Sequence, residues 1–368
     1  MHAIDLQRKH LGVHTRFQFY SYWIFAMIRF LNSGFSIKII FAFVVFCLSA
    51  NISFAQDNKD DDTVRVETSL VRLNVGVVNK QGQSIINLSQ NDFVIYEDDI
   101  RQNVRSFETT ETPFSVVMLL DISGSTLTFR QSLRIAALRF VDAISPNDRV
   151  AVIGFNDKVE VFADFTTDRK LIIYGINRVE GQSGQTHLYK ALRVALEKLS
   201  KEGNRRKAIV VLTDGVDSEL RNDDRPSVRN AKTTDEAIAS INPESNSKLT
   251  SVLNSADKQG VTIYPLALPT GDPKRLPDPS PLQFALYSAA RERMKILANR
   301  TGGRLNIINN LGDMGTLYAE VAADLRTLYS ISYQSSNSNK ADGKWRAIRI
   351  EVSRPELIAR TKPGYYAK

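Results

Sequence analysis

The run Asp121-Ile122-Ser123-Gly124-Ser125 puts one carboxylate and two hydroxyls in a turn directly after the apolar stretch 114–120. A short apolar run bounded by turn residues reads as a buried strand, and in open α/β sheets ligands bind beyond the carboxyl ends of the strands. Short oxygen-bearing side chains two residues apart can point into one concavity, which suits a hard cation such as Mg2+. Asp and Ser are also ordinary turn and helix-cap residues, so this run alone specifies little. Two later features strengthen it. Thr186 ends the loop Gly181-Gln182-Ser183-Gly184-Gln185-Thr186 just before a helical pattern, and Asp214 closes a second apolar run, 208–212, with Gly215 behind it. These groups form one site only if their strands are neighbours in a parallel sheet.

With those residues in order, the chain resembles a von Willebrand factor A domain over roughly residues 113–328. The three-part metal-ion-dependent adhesion site of that family has its matches at Asp121, Ser123, Ser125, Thr186 and Asp214. The resemblance implies a divalent cation, Mg2+ first and Mn2+ or Ca2+ as substitutes. Ser123, Ser125 and Thr186 would ligate it, while Asp121 and Asp214 would act through bound water. A cation with few direct carboxylates stays electrophilic, so the implied partner is a protein presenting an Asp or Glu to its open position.

The elements that must position these groups are legible as periods. From residue 113 onward strands alternate with helices, the pattern of a doubly wound, mostly parallel α/β sheet. Strands are expected at 114–121, 149–155, 159–165, 208–213, 261–268 and 304–308. The short link Asn156-Asp157-Lys158 makes 159–165 an antiparallel edge strand. Leu188, Ala191, Leu192, Ala195, Leu196 and Leu199 mark one apolar stripe of a helix, and Met314, Leu317, Val321, Leu325 and Leu328 mark another. Two insertions interrupt the pattern. Residues 219–248 are rich in polar side chains and read either as a partner surface or as a disordered excursion. Residues 269–281 carry five prolines and must be irregular.

Both flanks read as β structure. Val71, Leu73, Val75 and Val77 alternate in the amino-terminal segment 64–112, and Tyr329, Ile331, Tyr333 and then Ile348, Ile350, Val352 alternate in the carboxyl-terminal segment 329–368. Neither buries a core alone, so the two are expected to pack together as a small β-sandwich. Glu97-Asp98-Asp99 reads as a solvated hairpin turn, with a second metal site as the alternative. The segments Lys80-Gln81-Gly82, Asp92-Phe93-Val94-Ile95-Tyr96-Glu97-Asp98 and Gly364-Tyr365-Tyr366 resemble those of secreted bacterial proteins related to the von Willebrand factor A family.

Composition narrows the chemistry. The single cysteine, Cys47, and His2, His10 and His14 all lie in the first 55 residues, leaving His187 as the remaining histidine. Residues 56–368 therefore exclude disulfides and Cys/His zinc sites. The formal net charge is +8, but without residues 1–55 acidic and basic side chains nearly balance, so nucleic acid is not an expected partner. No G-x-S-x-G, H-E-x-x-H or phosphate loop is present, and the protein is expected not to be an enzyme. His187 as a base beside a metal-bound water is the hydrolase alternative, and a cell-envelope scaffold stabilised by its metal is another.

Residues 37–50 form a nearly continuous apolar run, followed by Ser53-Phe54-Ala55 and a polar, acidic stretch. Small residues at Ser53 and Ala55 fit a signal-peptidase site, and the run is short of the ~20 residues of a membrane span. Residues 1–55 are thus read as a signal peptide whose true start is Met27, residues 56–63 as a spacer, and the protein as exported to the periplasm, envelope or exterior. Cys47 follows bulky Phe46 and is not expected to carry a lipid anchor. Amino-terminal sequencing of the protein from its native host is expected to begin near Gln56; residues 28–50 found intact would indicate an anchor instead.

Overall fold

A computed structural model describes residues 70–179, 184–337 and 342–367. The expected leader and spacer, with Met27 and Cys47, lie outside the described residues, as does the stretch 180–183 of the second site loop.

The amino-terminal strands are β1 (Leu70–Val78), β2 (Phe93–Glu97), β3 (Ile100–Gln102) and β4 (Val104–Glu108). In β1 the alternation predicted from sequence sends Leu73, Val75 and Val77 to a buried face. After β4 the chain enters the α/β body: β5 (Phe114–Asp121), α1 (Arg130–Ala143), β6 (Arg149–Phe155), β7 (Val159–Thr166), α2 (Arg169–Asn177), α3 (Leu188–Ser200) and β8 (Arg206–Thr213). It continues through α4 (Ser218–Val228), α5 (Thr234–Ala239), α6 (Ser247–Gln259), β9 (Val261–Ala267), α7 (Pro281–Thr301), β10 (Asn306–Ile307) and α8 (Met314–Thr327). The chain then returns to β11 (Leu328–Gln334), β12 (Trp345–Val352), β13 (Ile358–Arg360) and β14 (Gly364–Tyr366).

The body's sheet has the order β10-β9-β8-β5-β6-β7. Its contacts are parallel except that β7 pairs antiparallel with β6. Strand β5 is buried along its whole length, as expected of a central parallel strand covered on both faces. Helices α1, α2 and α8 cover one face through Phe140, Ile176 and Tyr318 among others. Helices α3, α6 and α7 cover the other through Leu192, Val252 and Leu297. The flanks form two four-stranded sheets, β13-β1-β11-β4 and β14-β12-β2-β3, packed around Val75, Ile95, Tyr329 and Ile331. The expected fold class, a doubly wound body with one antiparallel edge strand and a small sandwich from both flanks, is the one found.

Two local expectations need correction. Residues 219–248 are largely helical. Val228, Ala237 and Ile241 supply enough apolar surface to pack against Ala285, Leu286 and Ala289 of α7, so the stretch is no disordered excursion. The acidic trio is also divided. Asp98 and Asp99 form the two-residue turn, with φ of 48° and 62°, a left-handed geometry that Asp tolerates. Glu97 instead ends β2 and is fully buried. It accepts hydrogen bonds from Tyr333 Oη (2.7 Å), Ser335 Oγ (2.5 Å) and Tyr365 Oη (2.9 Å). The turn forms by local conformation, while Glu97 is retained inside because three hydroxyls satisfy it.

Glu97→Ala leaves three hydroxyls, those of buried Tyr333 and Ser335 and of half-buried Tyr365, without their acceptor. It is expected to lower unfolding free energy by about 3 kcal/mol, measured by urea titration, with Glu97→Gln intermediate.

Candidate functional site

In the strand order, β5 runs to β6 on one side while β8 lies on its other side. The chain reverses its direction of travel across the sheet there, and the crevice at the carboxyl ends of β5 and β8 is the switch point where such sheets bind ligands. Asp121 ends β5 and Asp214 follows β8 directly.

Backbone bonds draw three loops together at this crevice. Gly124 N–H donates to Gly184 O at 3.4 Å, and Ser218 N–H donates to Thr186 O at 2.8 Å. Thr186 N–H returns a bond to Ser218 Oγ at 3.1 Å. Two glycines keep these loops close. A Cβ on Gly184 would lie 2.5 Å from Asp157 Oδ2, whose carboxylate receives Gln185 N–H; Gly215 has φ of +83° and would meet Met294.

The five sequence-derived residues occupy two depths. Ser125, Thr186 and Asp214 line one cavity of about 410 Å3. Ser123 lies beside it, its Oγ 3.2 Å from Ser125 Oγ. Asp121 is deeper than a site at the sheet's surface edge would have it, with 0% exposure. It accepts from Ser123 N–H (3.0 Å) and Thr213 Oγ1 (2.6 Å). Asp214 accepts from Val216 N–H (3.0 Å) and Thr270 Oγ1 (3.2 Å). Thr213 and Thr270 were not singled out in the sequence. Thr213 had a signal, since it is the residue before Asp214; Thr270 lies in the proline-rich insertion and had none.

The electrostatics follow from this burial. Loss of solvent, and then the nearby Asp214, push the Asp121 carboxyl up to about 7. Burial likewise raises Asp214, against the pull of Val216 N–H and the hydroxyls of Ser125 and Thr270. Two carboxylates thus share one water-poor corner with hydroxyls and backbone N–H groups as their partners. An all-oxygen set of two carboxylates and three hydroxyls fits a small hard cation, which would relieve their mutual repulsion. Among the described residues no group of three or more His, Cys, Asp or Glu side chains is placed to hold a metal, so the hydroxyls of Ser123, Ser125 and Thr186 would have to share in holding one here.

The rest of the cavity is wall. Arg221, Gln185, Gln283, Leu276, Leu286 and Tyr287 line it, and Arg221 Nε is buried without a hydrogen-bond partner. Helix α4 and the proline-rich insertion contribute to this wall, so both insertions reach the site. His187 is the residue before α3, with its side chain 18% exposed and its Nδ1 3.2 Å from Glu219 Oε1.

Residues 116–216 match the family model for the von Willebrand factor type A domain, a span that contains all five site residues. No curated protein matches the chain. Similar solved structures include the vWF domain of a type V pili tip protein from Porphyromonas gingivalis, at 15% identity, covering 58% of this chain and 94% of that one, with a TM-score of 0.42. An aerotolerance-related membrane protein from Bacteroides fragilis is 17% identical, over 58% of this chain and 98% of that one, with a TM-score of 0.37. A von Willebrand factor type A structure from Catenulispora acidiphila is 13% identical, over 81% of this chain and 63% of that one, with a TM-score of 0.42. The α/β body has a von Willebrand factor A-like fold.

The raised Asp121 carboxyl has a defined consequence for stability. The folded protein holds this proton up to about pH 7, whereas the unfolded chain releases it near the ordinary value of 3.8. This group's contribution to stability is therefore present below about pH 4 and is lost as pH rises toward 7. In EDTA, the Tm of Asp121→Asn minus that of wild type is expected to grow across that window. A difference that stays flat from pH 4 to 7 would contradict the coupling.

Proposed function

We propose that this protein is an exported, non-enzymatic protein-binding module whose cavity accepts an acidic side chain of a partner protein. Ser123, Ser125 and Thr186 would hold a divalent cation, with Mg2+ as the expected ion, and Asp121 and Asp214 would act through water. When bound, the cation supplies an electrophilic position for a carboxylate oxygen. The observation that carries this reading is the pair of buried carboxylates behind a hydroxyl-lined cavity at the switch point of the sheet.

The chain's own residues do the rest. Ser123 N–H and the Thr213 hydroxyl lock the Asp121 carboxylate, and the Val216 N–H and Thr270 hydroxyl lock Asp214. Groups held this way do not need to be ordered when a ligand arrives, which lowers the cost of binding. Arg221, with its buried and unsatisfied Nε, adds positive charge to the wall and favours an acidic partner. Leu276, Leu286 and Tyr287 offer apolar contact around the central acidic group, the anatomy of a small protein-recognition surface. His187 faces Glu219, and the proposal gives it no proton-transfer role. Export rests on the apolar run and the Ser53-Phe54-Ala55 site of the leader. Among the described residues no helix is long and apolar enough to cross a membrane.

Affinity capture from envelope extract of the native host tests this reading. The full chain is expected to retain a protein in Mg2+ and to release it in EDTA. Asp121→Ala is expected to lower retention at least tenfold with an unchanged circular dichroism spectrum, and His187→Ala to alter it less than threefold. Retention that survives both EDTA and Asp121→Ala would point to a scaffold that binds through its β-sandwich.

A further inference from the structure

The edge of the central sheet opposite the candidate site carries a second concavity, of about 300 Å3, between β1 and β11 of the sandwich and the amino-terminal end of β8. Lys207, the second residue of β8, lines it with only 4% of its surface exposed. Its ammonium has no hydrogen-bond or ion-pair partner among the described residues. Arg72 of β1 lines the same concavity and is likewise unpaired among them. Glu202, the acid whose field reaches Lys207, is engaged by Arg149 at 2.9 Å and by Ser115 Oγ at 2.7 Å. Burial, and then the facing Arg72, make the Lys207 ammonium easier to deprotonate than usual.

Two more cations line the concavity, and among the described residues neither forms an ion pair with a carboxylate. Arg205 donates to Phe114 O (3.0 Å), Asn147 O (2.7 Å) and Ser115 Oγ (3.1 Å). Arg206 donates to Leu328 O and, at 2.9 Å, to Thr110 O. Glu108 is the one acidic side chain in the lining. With those two guanidinium groups held on carbonyls outside the lining, Arg72 and Lys207 are the cations left to the cleft, and a narrow cleft lined by positive charge concentrates anions. The carbonyl of Gly260, which would repel an anion, is taken by Asn74 Nδ2 at 3.2 Å. Gln259 Oε1 is buried without a donor; turning that amide end for end would present its NH2 instead.

We propose that this cleft is a binding site for a small oxyanion of phosphate or carboxylate type, held between Arg72 and Lys207. The volume is at the lower end of small-molecule sites, which fits a compact ligand. Lys207 keeps little contact with solvent and no paired acid, and an anion supplies the missing counter-charge. Because Arg72 belongs to the sandwich and Lys207 to the body, the ligand bridges the two layers and stabilises their junction. The site is separate from the Asp121 loop, which lies at the other end of the strands, and it stands or falls independently of the metal-dependent reading.

Isothermal calorimetry and thermal melts on the full chain in 150 mM NaCl test it, with inorganic phosphate and citrate as separate probes. Saturable binding of phosphate alone assigns phosphate chemistry, and saturable binding of citrate alone assigns a polycarboxylate. Either probe is expected to raise the Tm of wild type. Affinity is expected to fall at least tenfold in Lys207→Met and in Arg72→Gln, and to be unchanged in Lys170→Gln, an exposed control on α2. If Lys207→Met does not fold by circular dichroism, Arg72→Gln decides, because that side chain is not deeply buried. Failure of both probes to bind wild type, or equal affinities in wild type and Arg72→Gln, would overturn the proposal.

Discussion

The α/β body is inserted between two strands of a single sheet, and Arg206 holds that junction. The chain leaves the sandwich after β4 and returns as β11, and these two strands pair antiparallel. The ends of the body must therefore emerge side by side. Arg206 donates to the carbonyls of Thr110, before the body begins, and Leu328, where it ends, and its guanidinium lies 4.1 Å from the centre of the Phe114 ring. Its burial lowers its pKa to about 10, against the opposing fields of Asp148 and Glu108, so it remains charged at neutral pH. A planar group with several donors can satisfy two carbonyls while stacking on a ring; a lysine could not do both.

Other contacts complete the join. Arg300 at the end of α7 lies over both Trp345 and Tyr366 of the sandwich and pairs with Asp257 of α6 at 3.2 Å. Lys362 reaches the same carboxylate at 3.1 Å. Within the sandwich, Glu97 ties β2 to β11 and to the carboxyl-terminal β14 through hydroxyl donors. The acidic motif near the start of the described chain and the Gly-Tyr-Tyr motif near its end thus form parts of one hydrogen-bonded cluster. Neither flank would have a covered apolar face without the other.

With its ends joined, the body presents its switch point at the far edge of the sheet. The site gains its character from depth. Asp121 lies behind the cavity that Asp214, Ser125 and Thr186 line, and it is close enough to Asp214 for that carboxylate to raise its proton affinity. A surface carboxylate in the same sequence context would be solvated and nearly indifferent to its neighbour. The same principle operates at the opposite edge, where burial holds Lys207 in the field of Arg72 with no ion-pair partner among the described residues.

Periods and turn residues were sufficient to read the order of strands, the antiparallel edge strand, the two marked helices and the pairing of the flanks, because each is set by burial alternating over a few residues. The Asp-x-Ser-x-Ser run and Asp214 were legible for the same reason, as local turn chemistry at strand ends, and Thr186 as the hydroxyl at the end of a Gly-rich loop before a helix. The helices in 219–248 were less visible, since their apolar residues Val228, Ala237 and Ile241 are sparse and find their cover only on α7. Tertiary structure alone decided the burial of Glu97 and Asp121, the support of Thr270 behind Asp214, and the meeting of Arg72 with Lys207. Those outcomes depend on which distant segments pack together and exclude water, and no local pattern encodes the dielectric or the partners that a folded neighbour supplies.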